Sequence, residues 1–177
     1  GMVREATDER LRSQYATTYP DLNPDFIFAY PAFNVRNTEI GAVIGRNQLR
    51  RLDKNNQKRI KNHEIFLENI DETMFRTNFH CEGSCNYAFN VILREPDLKL
   101  RNQLEESMRE SKIEFRRGSA GGGNQMRQPY LSSVVAEGAW ERFPEVEHIH
   151  HYGWYVGNYP DLGLQSIVEL CNILNNA

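Results

Sequence analysis

Apolar positions step by three and four along much of this chain and change to alternation in the middle. Ile40, Val43 and Ile44 fall on one helical face, with Arg46, Arg50 and Arg51 off it. Asn37 or Thr38 offers a capping oxygen to this helix, and Glu39 sits at the favourable end of its dipole. Leu52, Asn56, Ile60, His63, Leu67 and Ile70 keep the spacing, so the helix is predicted to continue or restart through Asn69. Tyr87, Phe89, Val91 and Leu93 then alternate, which predicts a half-buried strand. Pro96 and Asp97 punctuate and cap a helix on Leu100, Leu104 and Met108 that ends near Ser111, and residues 113–117 read as a short strand. Residues 134–143 read as a weak helix interrupted by Gly138. HIHHYGWYV, residues 148–156, reads as a third strand with Gly153 as a bulge or close-approach point. That strand puts His148 and His150 on one face and His151 on the other. Asp161 is expected to cap a last helix with a stripe of Leu164, Ile167, Val168, Cys171 and Leu174.

The first thirty residues are different. Residues 6–15 suit one or two helical turns, and Pro20, Pro24 and Pro31 keep the chain extended or turning. Phe26, Ile27, Phe28 and Tyr30 form a dense apolar cluster with no partner element nearby. The expected architecture is α+β: a long first helix, a small, mostly antiparallel three-stranded sheet, and helices on one face.

Composition narrows the function. A length of 177 residues suits one domain or a small domain with an arm. A net charge of −3 and a pI near 6.0 argue against a nucleic-acid binder that works through a basic face. No apolar run is long enough to span a bilayer and no signal-peptide pattern opens the chain, so a soluble cytoplasmic protein is expected. Gly1 before Met2 resembles an expression scar and carries no weight. Three cysteines make no disulfide framework and are read as reduced.

Candidate chemistry is sparse. Phe33-Asn34-Val35-Arg36 precedes the first long helix, and an amide and a guanidinium beside a helix start suit an anion such as phosphate; an N-cap with a nearby surface arginine is the alternative. Gly41 and Gly45, four apart, suggest close approach of another backbone. Gly118-Ser119-Ala120-Gly121-Gly122-Gly123-Asn124 lacks the ending of a P-loop and does not fit the dinucleotide fingerprint. His80, Cys81 and Cys85 would need a histidine from elsewhere to hold zinc, so no metal site is assigned, and His63 is read as a core-edge histidine. Lys54, Lys58, Lys61, Lys99 and Lys112 all fall on predicted polar helix surfaces, whereas Schiff-base chemistry needs a desolvated amine. No catalytic residue is assigned.

Residues 33–53, FNVRNTEIGAVIGRNQLRRLD, resemble the segment that opens the small C-terminal domain of the DegT/DnrJ/StrS family of pyridoxal-phosphate enzymes, which aminate or dehydrate nucleotide-linked 4-keto sugars. The run Gly123-Asn124-Gln125-Met126-Arg127-Gln128-Pro129 and the closing GNYP turn resemble the same family. The resemblance implies the small domain of a fold-type I enzyme over residues 31–177, an interdomain arm over residues 1–30, and a lysine-bearing large domain outside this chain. It implies that Asn34 and Arg36 reach across a homodimer interface to the partner subunit's cofactor phosphate. Asn124, Arg127 and Gln128 would face a nucleotide-linked 4-keto-6-deoxy sugar, although a polar loop returning to the fold is an equal reading of those three. It implies an aminotransferase or 3-dehydratase serving cell-surface polysaccharide or lipopolysaccharide sugar synthesis, with pyridoxal 5'-phosphate bound in the full-length enzyme and not to this chain alone. No nucleic acid or membrane partner is expected. The alternative is a non-catalytic dimerisation or sugar-nucleotide-binding module derived from the family.

Overall fold

A computed structural model describes residues 2–3, 8–23, 27–28, 38–117, 123–127, 131 and 133–177, which divide into two compact units, residues 1–48 and 49–177. In the first unit, β1 (Met2–Val3) pairs antiparallel with β2 (Ile27–Phe28). Helix α1 (Glu9–Thr18) starts at Asp8, whose carboxylate accepts the Arg10 N–H at 2.9 Å. It begins later than the sequence suggests because the cap, rather than the apolar spacing, sets its start.

Helix α2 (Glu39–Leu49) opens at Thr38, whose hydroxyl accepts the Gly41 N–H. The capping expectation at Thr38 therefore holds. The apolar face that the spacing marks is open: Ile40, Val43 and Ile44 are 74%, 66% and 57% exposed. A Cβ added at Gly45 would meet nothing within 4 Å among the described residues.

In the second unit, α3 (Leu52–Asn69) restarts after a break at Arg50 and Arg51, so the long first helix is two helices. Its buried face runs through Asn62, His63 and Phe66. Leu52 and Ile60, both placed on the seam by spacing, are exposed, and Phe66 takes the core position. Strand β3 (Ala88–Ile92) follows, then α4 (Leu98–Glu110), with Asp97 Oδ1 accepting from the N–H groups of Lys99 and Leu100 at 2.8 and 3.0 Å. Strand β4 (Phe115–Arg117) comes next.

The weak helix expected at residues 134–143 is a turn followed by a 3₁₀ turn at Ala139–Arg142, because Gly138 at φ +78° starts it in the left-handed region. The expected histidine strand is also corrected. Residues 144–152 form helix α5 (Pro144–Tyr152), with Pro144 in its first turn, and β5 spans only Gly153–Gly157. Gly153 is the close-approach point: a Cβ there would lie 2.7 Å from the Ile149 carbonyl oxygen. Helix α6 (Leu164–Asn175) closes the chain on Ile167, Leu170, Cys171 and Leu174. Asp161 does not cap it; its carboxylate takes Lys58 Nζ at 2.7 Å, and Leu164 is exposed.

The sheet is antiparallel throughout, in the order β3-β5-β4, with Phe89 opposite Val156 and Arg117 opposite Trp154. Phe89, Val91 and Trp154 pack with Phe66, Leu104, Met108 and Ile167 from α3, α4 and α6, which places the core between the sheet and these helices. The α+β expectation holds. Burial of this many large side chains is the main stabilising term, at about 1.5–3 kcal/mol for each fully buried one.

One buried polar knot locks the turn after β5. The side chain of Asn158 donates to the Arg59 and Asn86 carbonyls at 2.9 and 2.7 Å and accepts from Asn62 Nδ2 at 3.1 Å. An asparagine can be buried there because each of its polar atoms has a partner.

Candidate functional site

Asn34 and Arg36, expected at the cofactor phosphate, and Gln128, expected at the sugar nucleotide, lie outside the described residues. The structure places Asn124 and Arg127 together and adds residues the spacing did not mark. Gly123 sits at φ +82° with its open side against α5, where a Cβ would stand 2.1 Å from His150 Nδ1. That clearance brings the Asn124 N–H to His150 Nδ1 at 3.0 Å. A neutral imidazole that accepts at Nδ1 carries its proton on Nε2.

Glu147, one turn earlier on α5, gathers the loop. Asn124 Nδ2 donates to Glu147 Oε1 at 2.8 Å, and Arg127 Nε reaches both carboxylate oxygens at 2.9 and 3.0 Å. Arg127 Nη2 donates to Oε2 as well. The guanidinium lies 4.7 Å from the centre of the Trp140 ring, so it is held on one face by an aromatic and along one edge by an acid. The hydrogen bond from Arg127 holds the Glu147 carboxyl down to about 2, against the opposing push of burial and with help from Asn124. Asn124 is buried, and its Oδ1 accepts the Met126 N–H at 3.0 Å. The loop is therefore pre-shaped by α5.

Behind the loop, Glu105 on α4 is a second organising carboxylate. Arg117 donates to it through Nε and Nη2 at 2.5 and 2.7 Å, Arg109 Nη2 at 2.7 Å, and Trp154 Nε1 at 2.9 Å. Burial pushes the Glu105 carboxyl up, but the hydrogen bonds from Arg117, Trp154 and Arg109 outweigh it and hold it at about 2. His150 faces Arg117 and Arg127 as well as its neighbours His151 and Glu147. Burial and the nearby positive charges lower its pKa, and Glu147 opposes them.

The histidine and cysteine groups do not converge. His63 is buried, with its Nδ1 3.9 Å from Cys81 Sγ and its Nε2 without a hydrogen-bond partner among the described residues. Among the described residues no group of three or more His, Cys, Asp or Glu side chains could hold a metal ion. His148 Nε2 donates to the Leu93 carbonyl at 2.6 Å, a bond between α5 and the residue after β3. Nor does the chain supply a Schiff-base amine. All five lysines are described and none is buried; Lys58 pairs with Asp161, and Lys61 with Glu64 at 3.1 Å. No helix among the described residues is long and apolar enough to cross a membrane.

The sequence profile of the DegT/DnrJ/EryC1/StrS aminotransferase family matches residues 1–175. The chain belongs to this family. Among curated proteins it is 27% identical over 135 residues to the GDP-4-keto-6-deoxy-D-mannose 3-dehydratase of Escherichia coli O55:H7, covering 76% of this chain and 34% of that enzyme. The enzyme of the same name from Yersinia pseudotuberculosis is 28% identical over 150 residues, covering 84% and 38%. The chain thus spans little more than a third of the curated relatives it matches. Among solved structures, an E. coli GDP-4-keto-6-deoxy-D-mannose-3-dehydratase with bound hydrated PLP aligns at TM-score 0.70 and 26% identity over 84% of this chain and 38% of the enzyme. At 14% identity and TM-score 0.68, a 3-amino-5-hydroxybenzoic acid synthase shares the fold over 97% of this chain and 47% of its own. The fold is that of one part of a fold-type I pyridoxal-phosphate enzyme.

Proposed function

We propose that this chain is the C-terminal portion of a pyridoxal-phosphate enzyme acting on a nucleotide-linked 4-keto-6-deoxy sugar, as an aminotransferase or a 3-dehydratase. The observation that carries the reading is the match to 34–38% of the length of GDP-4-keto-6-deoxy-D-mannose 3-dehydratases. That none of the five lysines is buried supports it from the other side, since the Schiff-base amine of such an enzyme is a desolvated one. When bound, pyridoxal phosphate supplies an electron sink for charge developing on the substrate. This chain's part is to bind and orient. Asn34 and Arg36 grip the cofactor phosphate of the partner subunit, and Asn124, Arg127 and Gln128 face the sugar nucleotide.

The intact enzyme is read as a cytoplasmic homodimer that contributes to cell-surface polysaccharide or lipopolysaccharide sugars, with residues 1–30 as the arm and 31–177 as the small domain. In the intact enzyme, Asn34→Ala and Arg36→Ala should each weaken cofactor retention roughly tenfold, the scale of a charge-assisted hydrogen bond. Absorbance of the cofactor after exhaustive dialysis reads this, and unchanged retention overturns the clamp. A reading frame upstream of residue 1 that carries the cofactor lysine, or a histidine in its place, supports the assignment as a portion of the longer enzyme.

A second reading is a free-standing association module, favoured by the exposed apolar face of α2. Light scattering separates the two, since a stable dimer of this chain alone fits the module.

A further inference from the structure

Between α4, β4 and α5 lies a cavity of about 380 Å³ lined by Glu105, Arg109, Phe115, Arg117, His150 and His151. Its polar lining is almost all donor. Arg117 spends Nε and Nη2 on Glu105 and Arg109 spends Nη2, so Nη1 of Arg117 and both Nε and Nη1 of Arg109 have no hydrogen-bond partner among the described residues. His150 accepts at Nδ1 from the Asn124 N–H, so its proton is on Nε2, another donor with no partner among the described residues. Glu105, the one acid in the wall among the described residues, is already saturated by two guanidiniums and the Trp154 indole. Two arginines against one carboxylate leave a charge of +1 before either histidine protonates.

We propose that this cavity is a binding site for a phosphoryl anion, received by the free guanidinium edges of Arg109 and Arg117 and by His150 Nε2–H. Three donors on three different elements enclose one space, which suits a tetrahedral oxyanion with acceptors on every side better than a planar carboxylate. Glu105 is a positioning residue: it clamps Arg117 through two hydrogen bonds, so that guanidinium is already oriented before a ligand arrives. The cavity adjoins the Asn124–Arg127 loop through His150, so resting on the reading of the chain under Proposed function, the phosphoryl group is the diphosphate bridge of the sugar nucleotide.

Affinity should rise on acidification. The groups facing His150 are His151 and Glu147 on α5, Arg127 on the loop and Arg117 on β4, with Arg109 and Glu105 across the cavity on α4. Glu105 and Glu147 are held at about 2, so they stay ionised near neutrality, and the same two carboxylates raise the pKa values of Arg117 and Arg127, which stay charged. Burial and the neighbouring positive charges lower the His150 pKa, so it gains its positive charge only as pH falls below the ordinary 6.5.

The test is a titration of the 177-residue chain with inorganic pyrophosphate, GDP and guanosine, followed by amide chemical shifts and calorimetry. Pyrophosphate and GDP should bind saturably at low ionic strength, guanosine should not, and the shifts should centre on Arg109, Arg117 and His150. Arg109→Gln, at an exposed side chain whose loss leaves Glu105 paired with Arg117, should weaken pyrophosphate about tenfold. The wild type should gain affinity relative to His150→Gln as pH falls below 6.5. Pyrophosphate binding without GDP binding keeps the anion site and overturns its assignment to a nucleotide. No saturable binding of either anion, or equal binding to Arg109→Gln, overturns the site itself; cofactor retention in the Asn34 and Arg36 variants is a separate readout and is untouched by that result.

Discussion

The indole N–H of Trp154 donates to Glu105 Oε1 at 2.9 Å, tying the central strand of the sheet to α4 through one carboxylate. The same carboxylate holds Arg109 and Arg117. Both arginines are largely open to solvent, so water screens the pairs while the carboxylate itself is nearly enclosed.

Glu105→Gln keeps the shape and removes the charge. Its folded pKa of about 2 lies below the ordinary 4.5, so the unfolded chain takes up the proton first on acidification. The stability that Glu105 contributes is complete above about pH 4.5 and is lost as pH falls towards 2. Thermal melts should show the variant about 1–3 kcal/mol less stable at neutral pH, with the gap closing below about pH 3.

Gly123→Ala should loosen the loop from α5. The new methyl would have to pass through His150 Nδ1, and φ +82° is itself unfavourable for alanine. The expected cost is about 2–4 kcal/mol. Gly138→Ala is the control: it shares a positive φ of +78° but has nothing within 4 Å, so backbone strain alone should cost it about 1 kcal/mol. Equal melting points for the two variants would mean that the His150 contact is not made.

His63→Leu should be stable, and more so at mildly acidic pH. His63 is buried, its Nε2 has no partner among the described residues, and burial lowers its pKa below 6.5. An imidazole that resists protonation in the folded chain but takes a proton when unfolded favours unfolding as pH drops below 6.5. Comparing denaturant midpoints at pH 7.5 and 5.5 checks this: the wild type should lose more than the variant, whereas parallel losses would assign the pH effect to other groups.

The sequence exposed the elements whose pattern is local. Asp97 before Leu100, Leu104 and Met108 marks α4 because the cap and the stripe agree. Phe89 and Val91 mark β3, but the half-buried alternation does not survive whole: Tyr87 is exposed, and Ala88 and Ile92 on the other face are buried as well. HIHHYGWYV misled for a physical reason: β-branched and aromatic residues crowd a stretch in which Pro144 starts a helix and Gly153 ends it, and the boundary falls between Tyr152 and Gly153. Treating those histidines as strand residues hid Glu147, which reaches the loop only because it stands one helical turn from His150 and His151. Glu105 was hidden differently. It reads as one more charge on a polar helix face, and only the tertiary approach of Arg117 and Trp154 gives it a role. Asn158 was seen as part of a turn, but the carbonyls it ties belong to residues roughly seventy and a hundred positions away.

Helix α5 runs into β5 without a linking residue, and the chain's two tryptophans lie just before and within that segment: Trp140 under Arg127, Trp154 against Glu105. Rearrangement of the loop would change the cation over one indole and the acceptor field at the other. The protein therefore carries a built-in pair of optical gauges, and its own emission spectrum can be followed during a titration with no dye attached.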